Sequence, residues 1–249
     1  MKKKILMILI SISIPIAAIF VYQYNHPGPA DIISTSLKPE NVNISLYWKN
    51  NDGEIFENIG ELNKDLESKG EKLLFATNGG MFDINLHPIG LFIENGKTIK
   101  QLNTITIKPD KDGNIDNFNL QPNGVFYISD DNQAGICVTA KFSKHLNAKY
   151  ATQSGPMLLI NGEINPIFHP KSTNYKIRNG VGILPNNEII FAISKNRVRF
   201  YDFAKYFKDK DCTNALFLDA YVSKAYDPAQ GIQQTGGELG VLIGVTEKR

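Results

Sequence analysis

Lys72–Lys97, KLLFATNGGMFDINLHPIGLFIENGK, is the stretch from which the fold is read. Leu73-Leu74-Phe75-Ala76 is a short apolar run of the β type, and it breaks at Thr77-Asn78-Gly79-Gly80. Met81-Phe82 resumes the run, a loop follows from Asp83 to Pro88, and Asn95-Gly96 joins Ile89–Glu94 to Lys97–Leu102. Asn-Gly between two apolar runs is the strongest short-range hairpin signal. A buried strand that ends in Asn-Gly-Gly sets bare backbone at the edge of a sheet. Glycine there lets a ligand approach amide N–H groups, or simply lets the chain turn.

The hairpin device recurs at Asn161-Gly162, after Met157–Ile160, and at Asn186-Asn187, between Val181–Leu184 and Glu188–Ser194. Val42–Trp48 alternates apolar with polar residues, as a half-buried strand does. Gly124–Ser129 and Gly135–Thr139 read as strands, as do Ala215–Leu218 and Gly240–Val245. Ile59, Leu62 and Leu66 stand at helical spacing before Gly70, and Phe200, Phe203, Ala204 and Phe207 do the same. Lys141–Leu146 is a short helix candidate, and Lys108–Pro122 reads as a polar loop. The pattern predicts an α+β fold, a mixed, mostly antiparallel sheet built from hairpins with two or three packed helices.

The chain opens Met1-Lys2-Lys3-Lys4, and no further charge appears until Asp31. Ile5–Tyr22 is almost wholly apolar, a positive n-region followed by an export segment over residues 1–24. A retained signal-anchor and a removed signal peptide both fit. The absence of a small-x-small cleavage pattern after Ala17-Ala18 favours the anchor, held in the inner membrane. Either way the remainder is expected outside the cytoplasm, facing the periplasm or cell exterior. Residues 25–38, with Pro27, Gly28 and Pro29, read as a linker, leaving one domain over residues 39–249. The net charge of +2 is less than the three N-terminal lysines supply. The exported part is therefore slightly acidic, which argues against nucleic acid as a partner. Cys137 and Cys212 are compatible with one disulfide or with two separate thiols. His26, His87, His145 and His169 show no metal-ligand spacing, and no metal or cofactor is expected.

Four places set polar residues at the end of an apolar strand: Thr77–Gly80, Gln153–Pro156, Arg178–Gly180 and Asp219–Ser223. Strand ends of one sheet gather on one rim, so the four are expected to line one pocket. Asp219 follows four core residues, so it is partly buried, and burial needs partners or a function. Its plain alternative is a turn cap, and that of Arg178 is a surface cation.

In order and spacing these segments resemble the phosphodiester glycosidase family. The likeness rests on Asn78-Gly79-Gly80-Met81-Phe82, Ser154-Gly155-Pro156-Met157-Leu158, Arg178-Asn179-Gly180-Val181-Gly182 and Cys212–Ser223, CTNALFLDAYVS. Gly236–Val245 matches more weakly, and the likeness spans about Tyr47 to the C-terminus. At the fourth segment the family usually has Leu-Asp-Gly-Gly-Gly-Ser; here Ala220-Tyr221-Val222 replace the glycines, as in a bacterial exported subgroup. The resemblance implies hydrolysis of a sugar-1-phosphodiester at the anomeric carbon, on glycans of the envelope or an exopolysaccharide. Arg178 and the Gly79 and Gly80 amides would hold the phosphate. Asp219 would act as general base or as counter-charge to the oxocarbenium centre, with Glu238 and then Asp83 in reserve. Asn78 and Ser154 would bind sugar hydroxyls or phosphate oxygens, Gly155, Asn179 and Ser223 would stand with them, and Tyr221 would stack on a sugar. The competing implication is a non-catalytic polysaccharide-binding or assembly module of the cell envelope.

Overall fold

Asn95 and Gly96 take φ of +49° and +74°, and Asn161 and Gly162 take +52° and +81°. These are the left-handed values that a two-residue hairpin turn demands, and they close two tight hairpins. The computed structural model describes residues 28–143, 147–220 and 222–247. In chain order its strands are β1 (Ile32–Leu37), β2 (Val42–Tyr47), β3 (Leu73–Asn78), β4 (Phe92–Glu94), β5 (Lys97–Lys100), β6 (Gly124–Ser129), β7 (Ala134–Val138) and β8 (Ala148–Ser154). There follow β9 (Met157–Ile160), β10 (Glu163–Ile164), β11 (Asn179–Ile183), β12 (Ile189–Ser194), β13 (Asn214–Asp219), β14 (Ala225–Asp227), β15 (Ile232–Gln233) and β16 (Leu242–Glu247). Helices α1 (Ile59–Ser68) and α2 (Phe200–Asp209) complete the α+β architecture.

The strands form three antiparallel sheets, ordered β1-β12-β11-β13-β9-β10, β15-β14-β3-β16-β2 and β5-β4-β8-β6-β7. All three turn one face to a shared core that includes Phe75, Phe92, Phe126, Phe191, Leu216 and Ile243. Strand alternation then decides what each outer face meets. On β13, Leu216 and Leu218 enter the shared core, while Ala215 and Phe217 pack under α2. The apolar stripe of α2, Phe200, Phe203, Ala204 and Phe207, closes that second core with Leu158 and Ile190. A Cβ on Gly182 would lie 2.7 Å from both Cys212 Sγ and Phe207 Cδ1, so glycine lets the helix sit close. On the other side, α1 packs Ile59, Leu62 and Leu66 against Leu73, Ala76 and Leu242. Asn58 caps α1 by accepting from the Glu61 N–H, and Gly70 leaves the helix at φ +70°. Both cysteines carry free thiols, and burial pushes the Cys212 thiol up to about 12.

Two expectations change. Residues 25–38 are not a linker throughout, because Ile32–Leu37 pairs along its whole length with β12, Ile32 opposite Ser194 and Leu37 opposite Ile189. The prolines that mark a break end at Pro29. Beyond them Ile33 and Thr35 face Phe75 and Phe191, and Thr35 donates a 2.5 Å hydrogen bond to buried Asp227. The expected helix over residues 141–146 is a single 3-10 turn at Thr139–Lys141, with no helix at 142–143. Its residues 144–146, like the N-terminal segment 1–27, lie outside the described residues. The alternate amides of Ile33–Leu37 that point at β12 are therefore expected to resist hydrogen exchange far longer than a linker's. Exchange within seconds, as in a true linker, would contradict the pairing.

Candidate active site

The ends of β3, β11 and β13 come together. Asn179 stands opposite Asp219 across β11 and β13, and Thr77 stands opposite Ala225 across β3 and β14. Four polar side chains tie these ends into one network. Asn78 Nδ2 donates to Asp219 Oδ2 at 3.0 Å and to the Val222 carbonyl at 3.4 Å, while its Oδ1 accepts the Lys224 N–H at 2.7 Å. Asn179 Nδ2 donates to Thr77 Oγ1 at 3.0 Å and to the Asn78 carbonyl at 3.3 Å. Ser223 Oγ donates to the Asp219 carbonyl at 3.2 Å. Asn78, Asn179 and Thr77 are buried, so these bonds satisfy groups that water does not reach.

The Asp219 carboxyl sits on top of this network, half-buried, at the wall of a cleft of about 520 Å³. Burial pushes its pKa up to about 6, against the opposing pull of the Ala220 N–H, 2.6 Å from Oδ1, and of the Asn78 amide. Each of those donors favours the ionised form, and desolvation outweighs both. Met81, Phe82, Phe118 and Val222 give the cleft apolar walls, and Asn103, Asn117, Asn119 and Asp116 give it polar ones. Flat apolar surfaces interleaved with amides suit a sugar ring, which has both C–H faces and hydroxyl edges. Among the described residues no three His, Cys, Asp or Glu side chains assemble a cation site.

Several expected site residues sit elsewhere. Arg178 is fully buried on the α2 side of the sheet, its guanidinium 3.5 Å from the Phe200 ring centroid. Its Nε donates to the Val198 carbonyl and its Nη2 to the Asn174 carbonyl, both at 3.0 Å, while Nη1 has no partner among the described residues. Burial drags its pKa down to about 9. Strand alternation explains the discrepancy: Asn179 faces the network, so its neighbour faces the helix. Arg178 braces the rim and does not line the cleft, which corrects its expected hold on a phosphate.

Gly79 and Gly80 are corrected in the same way. The Gly79 N–H is engaged by the Val241 carbonyl at 2.7 Å, and a Cβ on Gly79 would lie 2.9 Å from the backbone of Leu242. A Cβ on Gly80 would lie 2.5 Å from Thr152 Oγ1, so neighbouring strands occupy the space reserved for a ligand. Ser154 is fully buried and donates to the Leu218 carbonyl at 3.1 Å, steadying the strand that carries Asp219. Gly155 packs against buried Asn123, where a Cβ would meet Asn123 Cγ at 3.0 Å. Glu238 is exposed and outside the cleft, and Asp83 caps its own loop by accepting the Asn85 and His87 N–H groups. Tyr221 lies outside the described residues.

The sequence reading missed the far wall. Asn117-Phe118-Asn119 lay inside a stretch read only as a polar loop. A lone aromatic flanked by asparagines was the available signal. Gln153, the first residue of the second polar strand end, is buried and holds the Asn103 side of the cleft by accepting the Leu91 and Asn103 N–H groups at 3.0 and 2.8 Å.

Residues 71–225 match the phosphodiester glycosidase family model, more than half of the chain. The chain belongs to the phosphodiester glycosidase family. A relative from Escherichia coli (strain K12), the uncharacterised protein YigE, is 37% identical over 192 residues, covering 77% of this chain and 72% of that one. The fold resembles the catalytic domain of zebrafish N-acetylglucosamine-1-phosphodiester alpha-N-acetylglucosaminidase, auto-inhibited by its pro-peptide. The TM-score is 0.58 at 15% identity, over 90% of this chain and 85% of that one. A putative exported protein from Burkholderia pseudomallei superposes at 0.53 and 9% identity, over 86% and 73% of the two chains. At these identities the superpositions speak for the fold alone.

Two measurements test this arrangement. In the unfolded chain Asp219 titrates near the ordinary 3.8, and in the folded chain near 6, so the wild type loses stability as pH rises between them. Asp219→Asn is therefore expected to gain stability relative to wild type between pH 4 and pH 7, by up to about 3 kcal/mol. A difference that stays flat in urea titrations would contradict the buried carboxyl. Arg178→Ala is expected to lose at least about 2 kcal/mol, because it strands two carbonyls and opens a gap at Phe200. A neutral effect would contradict the bracing role.

Proposed function

We propose that the protein is an exported hydrolase that cleaves a sugar-1-phosphodiester at the anomeric carbon, acting on glycans of the envelope or an exopolysaccharide. The observation that carries this reading is Asp219. It is a carboxyl raised to about 6, oriented by Asn78, on the wall of a sugar-sized cleft inside the family-matched region.

The chemistry asks for little more. A phosphate monoester is a weak base and leaves without strong protonation, so one carboxylate suffices where an ordinary glycoside needs two. At neutral pH Asp219 is mostly ionised. It either draws the proton from an attacking water or stands as counter-charge beside the oxocarbenium-like centre. Oδ1 is held by the Ala220 N–H and Oδ2 by Asn78, so the carboxyl meets the reacting carbon in a fixed orientation. The amides of Asn103, Asn117 and Asn119 are the cleft's donors for phosphate and hydroxyl oxygens, in place of the arginine fork. Lys2-Lys3-Lys4 and the apolar run that follows support export through the N-terminal segment.

One feature favours a second reading, that of a glycan-binding module without turnover. Ala220 is buried in the core under α2 and Val222 forms cleft wall, so side chains fill a loop that glycines usually leave open. Release of free sugar from a synthetic sugar-1-phosphodiester separates the two. Turnover is expected, with kcat/KM rising through an apparent pKa of about 6. Asp219→Asn is expected to lose about a hundredfold or more. Asn78→Ala removes a bond that favours the ionised form, so it should move the rising limb to higher pH. Affinity without release, or full activity in Asp219→Asn, contradicts the proposal.

A further inference from the structure

Ile33, Ile193, Asn179 and Asp219 stand in one row across four neighbouring strands. Strands lie ~4.8 Å apart, so three steps put Ile33 about 14 Å from the acid. The chain leaves the sheet at this same rim, and it is fastened there. The Lys195 N–H donates to the Asp31 carbonyl at 2.8 Å, and Asn196 both accepts the Asp31 N–H at 2.9 Å and donates to the Pro29 carbonyl at 2.8 Å. The apolar segment ends at Tyr22. The residues from Gln23 to Pro29 reach at most about 25 Å when fully extended, and less as a coil. The cleft lies beyond the ends of β3 and β13, on the rim that carries this fastening.

The surface beside the fastening is basic. Segments 170–178 and 195–199 meet through the Lys176–Val198 bridge and contain no aspartate or glutamate. Lys171, Lys176, Lys195, Arg197 and Arg199 lie along them, with Asp31 beside Lys195 and Asp202 beside Arg199. By formal charge these two segments are wholly basic where the tether emerges, in a domain that is otherwise close to neutral. Such a patch attracts an anionic bilayer surface and turns this rim toward it.

We infer that the cleft faces the membrane that holds the N-terminal segment, and that its substrate is a sugar joined through a phosphodiester to a lipid of that membrane. The inference rests on the glycosidase reading and on residues 5–22 staying in the bilayer. A short tether at the far end of the sheet would have turned the cleft to solvent and soluble polymer. Here the phosphodiester of a membrane lipid is brought to the height of the cleft, and the sugar enters first.

The full chain reconstituted in vesicles of phosphatidylcholine and phosphatidylglycerol tests this. Two probes carry the same sugar phosphodiester, one on a membrane lipid and one on a short water-soluble alcohol. The lipid probe is expected to be cleaved at least about tenfold faster at equal bulk concentration. A long Gly/Ser insertion between Tyr24 and Asn25 is expected to erase most of that preference and leave the soluble rate unchanged. Equal rates on the two probes, or a preference that survives the insertion, overturns the inference. No release from either probe overturns instead the reaction on which it rests. Dyes on Thr173→Cys, at the basic rim, and Asn186→Cys, at the opposite end of β11 and β12, read the orientation independently, each in a Cys137→Ser background. Energy transfer to a headgroup-labelled lipid is expected to be stronger from position 173, and the reverse order overturns the orientation.

Discussion

The hydrogen bond from Asn78 to Asp219 joins the end of one sheet to the end of another, and the rest of the rim is arranged to keep it in place. Neither residue belongs to a loop free to drift. Asn78 closes β3, which is zipped to β16, and Asp219 closes β13, which is zipped to β11. The Asn78 amide is used at both of its ends, oxygen to Lys224 and nitrogen to Asp219, so it cannot turn over without breaking both contacts. Asn179, Thr77 and Ser223 fill the remaining donors and acceptors beneath it. A buried polar network of this kind is rigid when every member is satisfied, and rigidity is what a positioned carboxyl needs.

That carboxyl is held between two opposing tendencies. Burial disfavours its charge, while two hydrogen bonds favour it, and the balance falls near neutrality. A group so placed is ionised under ordinary conditions yet poorly solvated, which makes it a better base than a surface aspartate. It also lowers the stability of the domain at neutral pH, a burden that the apolar layers on either side of the sheet must offset. Arg178 belongs to those layers. It fastens the Val198 and Asn174 carbonyls and lies flat on Phe200, so it supports the rim from behind.

Much of the fold was legible in the sequence because local chemistry dictated it. Asn-Gly turns, the apolar stripe of Phe200, Phe203 and Phe207, and Gly70 at the end of α1 each describe their own conformation. What was not legible depended on partners distant in sequence. Ile32–Leu37 looked like linker because Pro27 and Pro29 precede it, and only β12 makes it a strand. At the site, the convergence of Asn78, Asn179 and Asp219 followed from strands ending in polar residues. The error lay in depth and side. Alternation sends Arg178 and Asn179 to opposite faces, and which of them meets the acid depends on a register that no local pattern reveals. The glycines at 79 and 80 read as a place for a ligand or for a turn, and it is neighbouring strands that approach there.

The role of Asp219 turns on which bond is broken. Hydrolysis of a sugar-1-phosphodiester in ¹⁸O-labelled water reads that directly. If Asp219 acts at the anomeric carbon, the label is expected in the released sugar, and its incorporation should vanish in Asp219→Asn. Label found in the phosphate would mean that the P–O bond is cleaved, and would contradict the assignment of Asp219 to a glycosidic centre.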